Sequence, residues 1–109
     1  MALTIGPFEQ ATLLALIRLG ERAYGRAILN EIEKRLERAV SAGAVYATLD
    51  RLQDKSLVSS RVAEGTAVRG GRARRYFTPT AAGIHALNHA KSAIDTLWRG
   101  FAGAAEGRV

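Results

Sequence analysis

Cysteine is missing altogether from this sequence, which excludes disulfides, thiolate metal sites and a cysteine nucleophile. Long apolar runs are missing as well. The longest, Leu13–Ile17, falls far short of the ~20 residues a membrane span takes. The N-terminus has no basic start, extended apolar stretch or small-residue cleavage site, so no secretion signal and no membrane partner are expected, and the location is expected to be cytoplasmic. There is no Gly-x-Ser-x-Gly, and Gly70-Gly71 lacks the Lys-Ser/Thr of a phosphate-binding loop. His85 and His89 stand at i, i+4 like a metal pair. No Glu follows His85, no third ligand is near, and both fall on the solvent side of their helix, so no metal, cofactor or catalytic centre is expected. Repeats, low-complexity tracts and linkers are absent too, and 109 residues suit one domain with one core.

Acidic residues are also in deficit. Ten Asp and Glu face sixteen Lys and Arg, for a net charge of +6. The excess is concentrated: between Arg61 and Tyr76 lie Arg61, Arg69, Arg72, Arg74 and Arg75 against the lone acid Glu64. A clustered positive field attracts polyanions, whereas a dispersed one mainly keeps a protein in solution.

Hydrophobic spacing predicts a first helix over Pro7 to Leu19, with Phe8, Ala11, Leu14 and Ala15 on its apolar side and Ile17 extending it. Pro7 suits the first turn and Gly20 the exit. A second helix runs from about Gly25 to Leu36 on Ile28, Ile32 and Leu36. Ser41 caps a third, and Val40 and Val45 are placed for a hydrophobic staple. In that helix Val45, Leu49 and Leu52 make one stripe; Gly43, Ala47, Asp50 and Asp54 point the opposite way, with Tyr46 and Arg51 on the flanks. After Ser56 the period changes. Leu57–Val62 and Arg74–Thr78 read as strands joined by a basic turn at Gly70-Gly71. Thr80 then caps a last helix whose apolar positions Leu87, Ala90, Ile94, Leu97, Phe101 and Ala104 alternate steps of three and four, a heptad seam.

Helix, helix, helix, hairpin, helix describes a mainly α chain with a small β-hairpin. That order predicts a winged helix-turn-helix over residues 1–79 with a C-terminal dimerisation helix and tail over 80–109. Such a fold lays its third helix in the major groove of double-stranded DNA and rests the hairpin on nearby backbone. Gly43 and Ala47 are small enough for close approach. Ser41, Tyr46 and Thr48 offer hydroxyls and Arg51 a guanidinium, although Tyr46 could equally pack at the core edge and Arg51 pair with Asp50 or Asp54. Arg69, Arg72 and Arg74 are the expected phosphate contacts of the wing. The seam residues Leu87, Ala90, Ile94, Leu97 and Phe101, with Trp98 beside them, are the expected homodimer interface.

The chain resembles the PadR family of transcriptional regulators over nearly its whole length. The resemblance rests on Leu14-Ala15-Leu16 followed by Ala23-Tyr24-Gly25, on the run from Val40 to Leu52 with its Ser-x-Gly-x-Val-Tyr-x-x-Leu core, on Leu57-Val58, and on Arg69 to Phe77 followed by Thr80 and Gly83. It implies a dimeric winged helix, usually a repressor, whose third helix reads an operator. The chain departs from the family in having Ala81 after the opening Thr of the last helix, where Pro is frequent, and in a less acidic wing at Glu64 to Val68. A length this short fits the subgroup with a single C-terminal helix. Resemblance to regulators of phenolic and drug responses also points to a small planar aromatic effector stacking on Trp98, against the plainer reading that Trp98 fills the dimer interface. The competing functional reading is a winged helix used as a protein-docking module that reads no DNA sequence.

Overall fold

The computed structural model describes residues 4–63 and 74–101. Arg69, Arg72, the Gly70-Gly71 turn and Ala104 lie outside the described residues. The elements run α1 (Pro7–Leu19), a 3₁₀ turn (Gly20–Arg22), α2 (Gly25–Leu36), α3 (Ala42–Asp54), β1 (Val58–Ala63), β2 (Arg74–Pro79) and α4 (Ala81–Trp98). The mainly helical winged architecture expected from the sequence is the one found.

Local chemistry explains most of the boundaries. Pro7 opens α1, and the Glu9 carboxylate reaches back to accept from the Gly6 N–H at 3.0 Å. Gly20 ends the helix with φ of +58°, where a side chain would be strained. Ser41 caps α3 by accepting from the Ala44 N–H at 3.0 Å. That helix ends in a Schellman arrangement. The Leu57 N–H bonds the Leu52 carbonyl and the Ser56 N–H bonds that of Gln53, with Ser56 at φ +63°. Thr80 caps α4 by accepting from the Gly83 N–H at 3.0 Å while its hydroxyl donates to the Ser56 carbonyl at 2.8 Å. A Cβ at Gly83 would collide with the Leu57 carbonyl, so glycine is what lets the first turn of α4 close on the end of α3.

The core lies where α1, α2 and α3 meet beneath the hairpin. Leu13, Leu16, Ile28, Ile32, Leu49, Leu52 and Leu57 are fully enclosed there, each worth roughly 1.5–3 kcal/mol relative to exposure. Two expected faces are corrected. In α1 the buried side is Glu9, Thr12, Leu13, Ala15 and Leu16, whereas Leu14 and Ile17 are exposed. Leu13 to Ile17 is apolar all round the helix, so spacing alone does not choose a face. Thr12 enters at no polar cost because its hydroxyl donates to the Phe8 carbonyl at 2.8 Å. In α2 the stripe ends at Ile32, and Leu36 is exposed.

β1 and β2 pair antiparallel from Val58 opposite Pro79 to Ala63 opposite Arg74. Leu57 precedes the strand rather than opening it, because its N–H closes α3. The seam of α4 is corrected too. The helix ends at Trp98, Gly100 takes φ +82°, and Phe101 turns back to set its ring edge-on to Trp98 at 4.9 Å. Phe101 therefore does not continue a helical stripe. From Lys91 onward every described residue is exposed, and the radius of gyration, 16.6 Å, exceeds the ~13 Å of a compact chain this long.

Candidate nucleic-acid interface

The inner stripe of α3, Val45, Leu49 and Leu52, is completely buried, which fixes the rotation of the helix and turns Gly43, Ala47, Asp50 and Asp54 outward. Nothing lies above Gly43 within 4 Å of where a Cβ would stand. The outer face thus begins almost bare, with Ser41 exposed at its head. Thr48 is corrected: it is buried, and its hydroxyl accepts from Arg51 Nη2 at 3.0 Å instead of facing outward.

The two flanks of α3 differ. Arg51 leans toward α1, with its Nε 3.9 Å from Glu9 Oε2; neither Asp50 nor Asp54 is its partner. Lys55 donates to the same oxygen at 2.9 Å. Burial pushes the Glu9 carboxyl up. The hydrogen bonds from Lys55 and Gly6 and the charges of Lys55 and Arg51 outweigh that and hold it below its ordinary value. Tyr46 leans the other way, half exposed rather than packed in the core, with its hydroxyl over the first residue of α2. A Cβ at Gly25 would fall on that hydroxyl, so Gly25 is what admits the phenol.

The hairpin is rooted beside Tyr46. The Phe77 N–H donates to the Ala23 carbonyl at 2.9 Å, and Tyr24 bridges to Tyr76. The two tyrosine rings meet edge-on at 5.8 Å. Arg74 lies over Tyr24 at 4.2 Å and Arg61 over Tyr76 at 4.8 Å. Stacking uses the face of a guanidinium and leaves its in-plane N–H donors free, so Tyr24 orients Arg74 without consuming it. Between the wing root, α3 and the start of α2 opens a cleft of about 540 Å³ lined by Tyr24, Arg26, Tyr46, Asp50, Arg74 and Arg75, among others.

Ser41, Gly43, Tyr46, Ala47 and Arg74 therefore share one exposed surface, while Arg51 sits at its far edge with one side tied to α1. Arg26, absent from the residues expected to contribute, lines the same cleft. Its position beside the Tyr24-Gly25 pair was the available signal, but only the folding of β2 onto the start of α2 brings it near the wing.

The second expected surface divides in two. Leu87 and Ala90 are half-buried and pack on the chain's own core, so they are not free for a partner along their whole side. Ile94, Leu97, Trp98 and Phe101 are exposed, Leu97 by 75%. Beside them α1 and α4 enclose an apolar groove of about 350 Å³ that includes Leu14, Ile17, Ile84, Leu87 and Ile94. Among the described residues no helix is long and apolar enough to cross a membrane.

Residues 13–89 match the family described as transcriptional regulator PadR-like. No curated protein matches the sequence. Among solved structures, a PadR-like transcription factor from Bacteroides fragilis shares 25% identity over 89% of this chain and 88% of its own, with a TM-score of 0.73. PadR-family regulators from Eggerthella lenta and Bacillus cereus have the same fold at 24% and 23% identity. They cover 91% and 92% of this chain and 86% and 88% of their own, with TM-scores of 0.65 and 0.66.

Proposed function

Because the chain belongs to the PadR-like family of transcriptional regulators, and so is a DNA-binding regulator rather than an enzyme, we propose that it acts as a homodimeric repressor reading an inverted-repeat operator. The observation that carries this reading is the outer face of α3. It is exposed, bare at Gly43 and Ala47, and bordered by the cationic wing root. Small residues on a helix let its backbone come close to the base edges of the major groove, and positive charge beside it neutralises the phosphates it must approach. Ser41 and Tyr46 supply hydroxyls for phosphate or base edges, and Arg74 supplies a held guanidinium. Arg69 and Arg72 extend the same charge along the wing in sequence. Blocking a promoter by occupancy needs nothing beyond such binding, which favours repression.

Two-fold pairing is supported by the exposed apolar end of α4. Ile94, Leu97, Trp98 and Phe101 leave water when a second copy covers them. Each dimer then presents two α3 helices to half-sites about one turn, ~34 Å, apart. Trp98, more than half exposed and standing at that junction, is the side chain on which a planar aromatic effector would stack. A ligand wedged there shifts both reading helices at once.

Selection of bound sequences from random duplexes tests the reading. The expected product is an inverted repeat bound with steep salt dependence. Ala47→Glu, which adds bulk and negative charge at the point of entry, abolishes binding to it. Equal affinity for random and selected duplexes would overturn the reading.

A further inference from the structure

The outer face of α3 carries more information than its bareness. Gly43, Ala47, Asp50 and Asp54 fall within an arc of about 60°, yet Gly43 offers no side chain and Ala47 only a methyl. Passing inward from the head of the helix, the first group on that arc able to form a hydrogen bond is the Asp50 carboxylate. It is exposed, and among the described residues it makes no hydrogen bond or ion pair. Asp54 lies in the final turn, away from the end that enters a groove.

A carboxylate on a DNA-facing surface is repelled by phosphate unless something offsets it. Here Asp50 lines the cleft that also holds Arg26, Arg74 and Arg75, and their charge screens it from the backbone. What remains is its chemistry. A carboxylate only accepts hydrogen bonds. In the major groove, guanine presents acceptors and thymine an acceptor with a methyl; adenine sets the acceptor N7 beside its amine, and cytosine presents its N4 amine as a donor.

Resting on the operator reading above, we propose that Asp50 is a base-reading residue that selects cytosine at one position of each half-site. Ala47 precedes it by about 4.5 Å along the axis, close to the ~3.4 Å base step. Its methyl is thus placed over a neighbouring base pair, where a thymine methyl is the complementary contact. Asp50 and Ala47 together define a short directional element within the half-site.

The experiment repeats selection from random duplexes with the unmodified protein, Asp50→Ala and Asp50→Asn, with thermal melting of each to confirm folding. The unmodified protein enriches cytosine at one position per half-site. Asp50→Ala loses about tenfold discrimination there and keeps its preferences elsewhere. Asp50→Asn shifts the preference to adenine, whose N6 and N7 match an amide's paired acceptor and donor. If Asp50→Ala binds every duplex more tightly by one common factor, the carboxylate merely repels phosphate and the assignment fails. It also fails if weaker binding tracks a lowered melting temperature with unchanged base preferences. An unmodified protein that enriches no sequence overturns the operator reading and this assignment with it.

Discussion

Glu9 is one of three buried polar residues among those described, with Thr12 and Thr48, and it does two jobs with one carboxylate. It satisfies the Gly6 N–H at the start of α1 and takes the Lys55 ammonium just past the end of α3, 46 positions along the chain. An amide in its place keeps one oxygen for the Gly6 N–H but takes the charge and the second acceptor away from Lys55. Glu9→Gln should therefore cost about 1–2 kcal/mol at neutral pH. The pH dependence follows from its depressed ionisation. The stabilisation is complete above the ordinary value of 4.5 and disappears as pH falls through the lower folded value, where native and unfolded chains both hold the proton. Urea denaturation of the two proteins across this range should show their stabilities converging in acid. A gap that stays constant with pH would mean that the stability is lost for steric reasons and that charge is not involved.

At the scale of elements, the wing matters through its root. Main-chain bonding of Phe77 to Ala23 and the stacking of Arg74 on Tyr24 bind the hairpin to the start of α2, the same place that receives Tyr46 from α3. α3 and the hairpin are thereby referred to one common point. Arg74→Ala should weaken binding to all duplexes alike and reduce the slope of log affinity against log salt by about one, the loss of one phosphate contact. Titration of operator and unrelated duplex at several salt concentrations measures both effects. A slope that does not change, alongside a lower melting temperature, would make Arg74 a purely structural partner of Tyr24.

For the molecule as a whole, the decisive feature is that α4 outruns its own domain. Its first half closes the core through Gly83, Ala86, Leu87 and Ala90, while its second half presents Ile94, Leu97 and Trp98 to solvent with Phe101 folded against it. Replacing Ile94 and Leu97 together with Asp should produce a folded monomer, because neither side chain is part of the buried core. With only one α3 per particle, it should bind operator DNA far more weakly. Sedimentation at micromolar concentration gives the readout: dimer for the unmodified chain and monomer for the variant. An unmodified chain that sediments as a monomer would remove the support for two-fold reading.

What could be read from the sequence alone was whatever depends on a few neighbouring residues. The start and inner stripe of α3 follow from Ser41 and the spacing of Val45, Leu49 and Leu52, and the exit of α1 follows from Gly20. The strands follow from the change of period after Ser56, and the outward turn of Gly43, Ala47 and Asp50 follows from the same helical geometry. Packing decided the rest, because it compares faces that local spacing leaves equivalent. It buried Leu13 and Leu16 instead of Leu14 and Ile17 and gave Arg51 a partner on α1, whereas the burial of Thr48 follows from the same helical geometry that sets the inner stripe of α3. Beyond Trp98, Gly100 turns the chain back at φ +82° and Phe101 sets its ring against the indole. The cleft beside α3 is also decided by packing: Arg26, Asp50 and Arg74 are far apart in the chain, and only the docking of β2 onto the entry of α2 makes them neighbours.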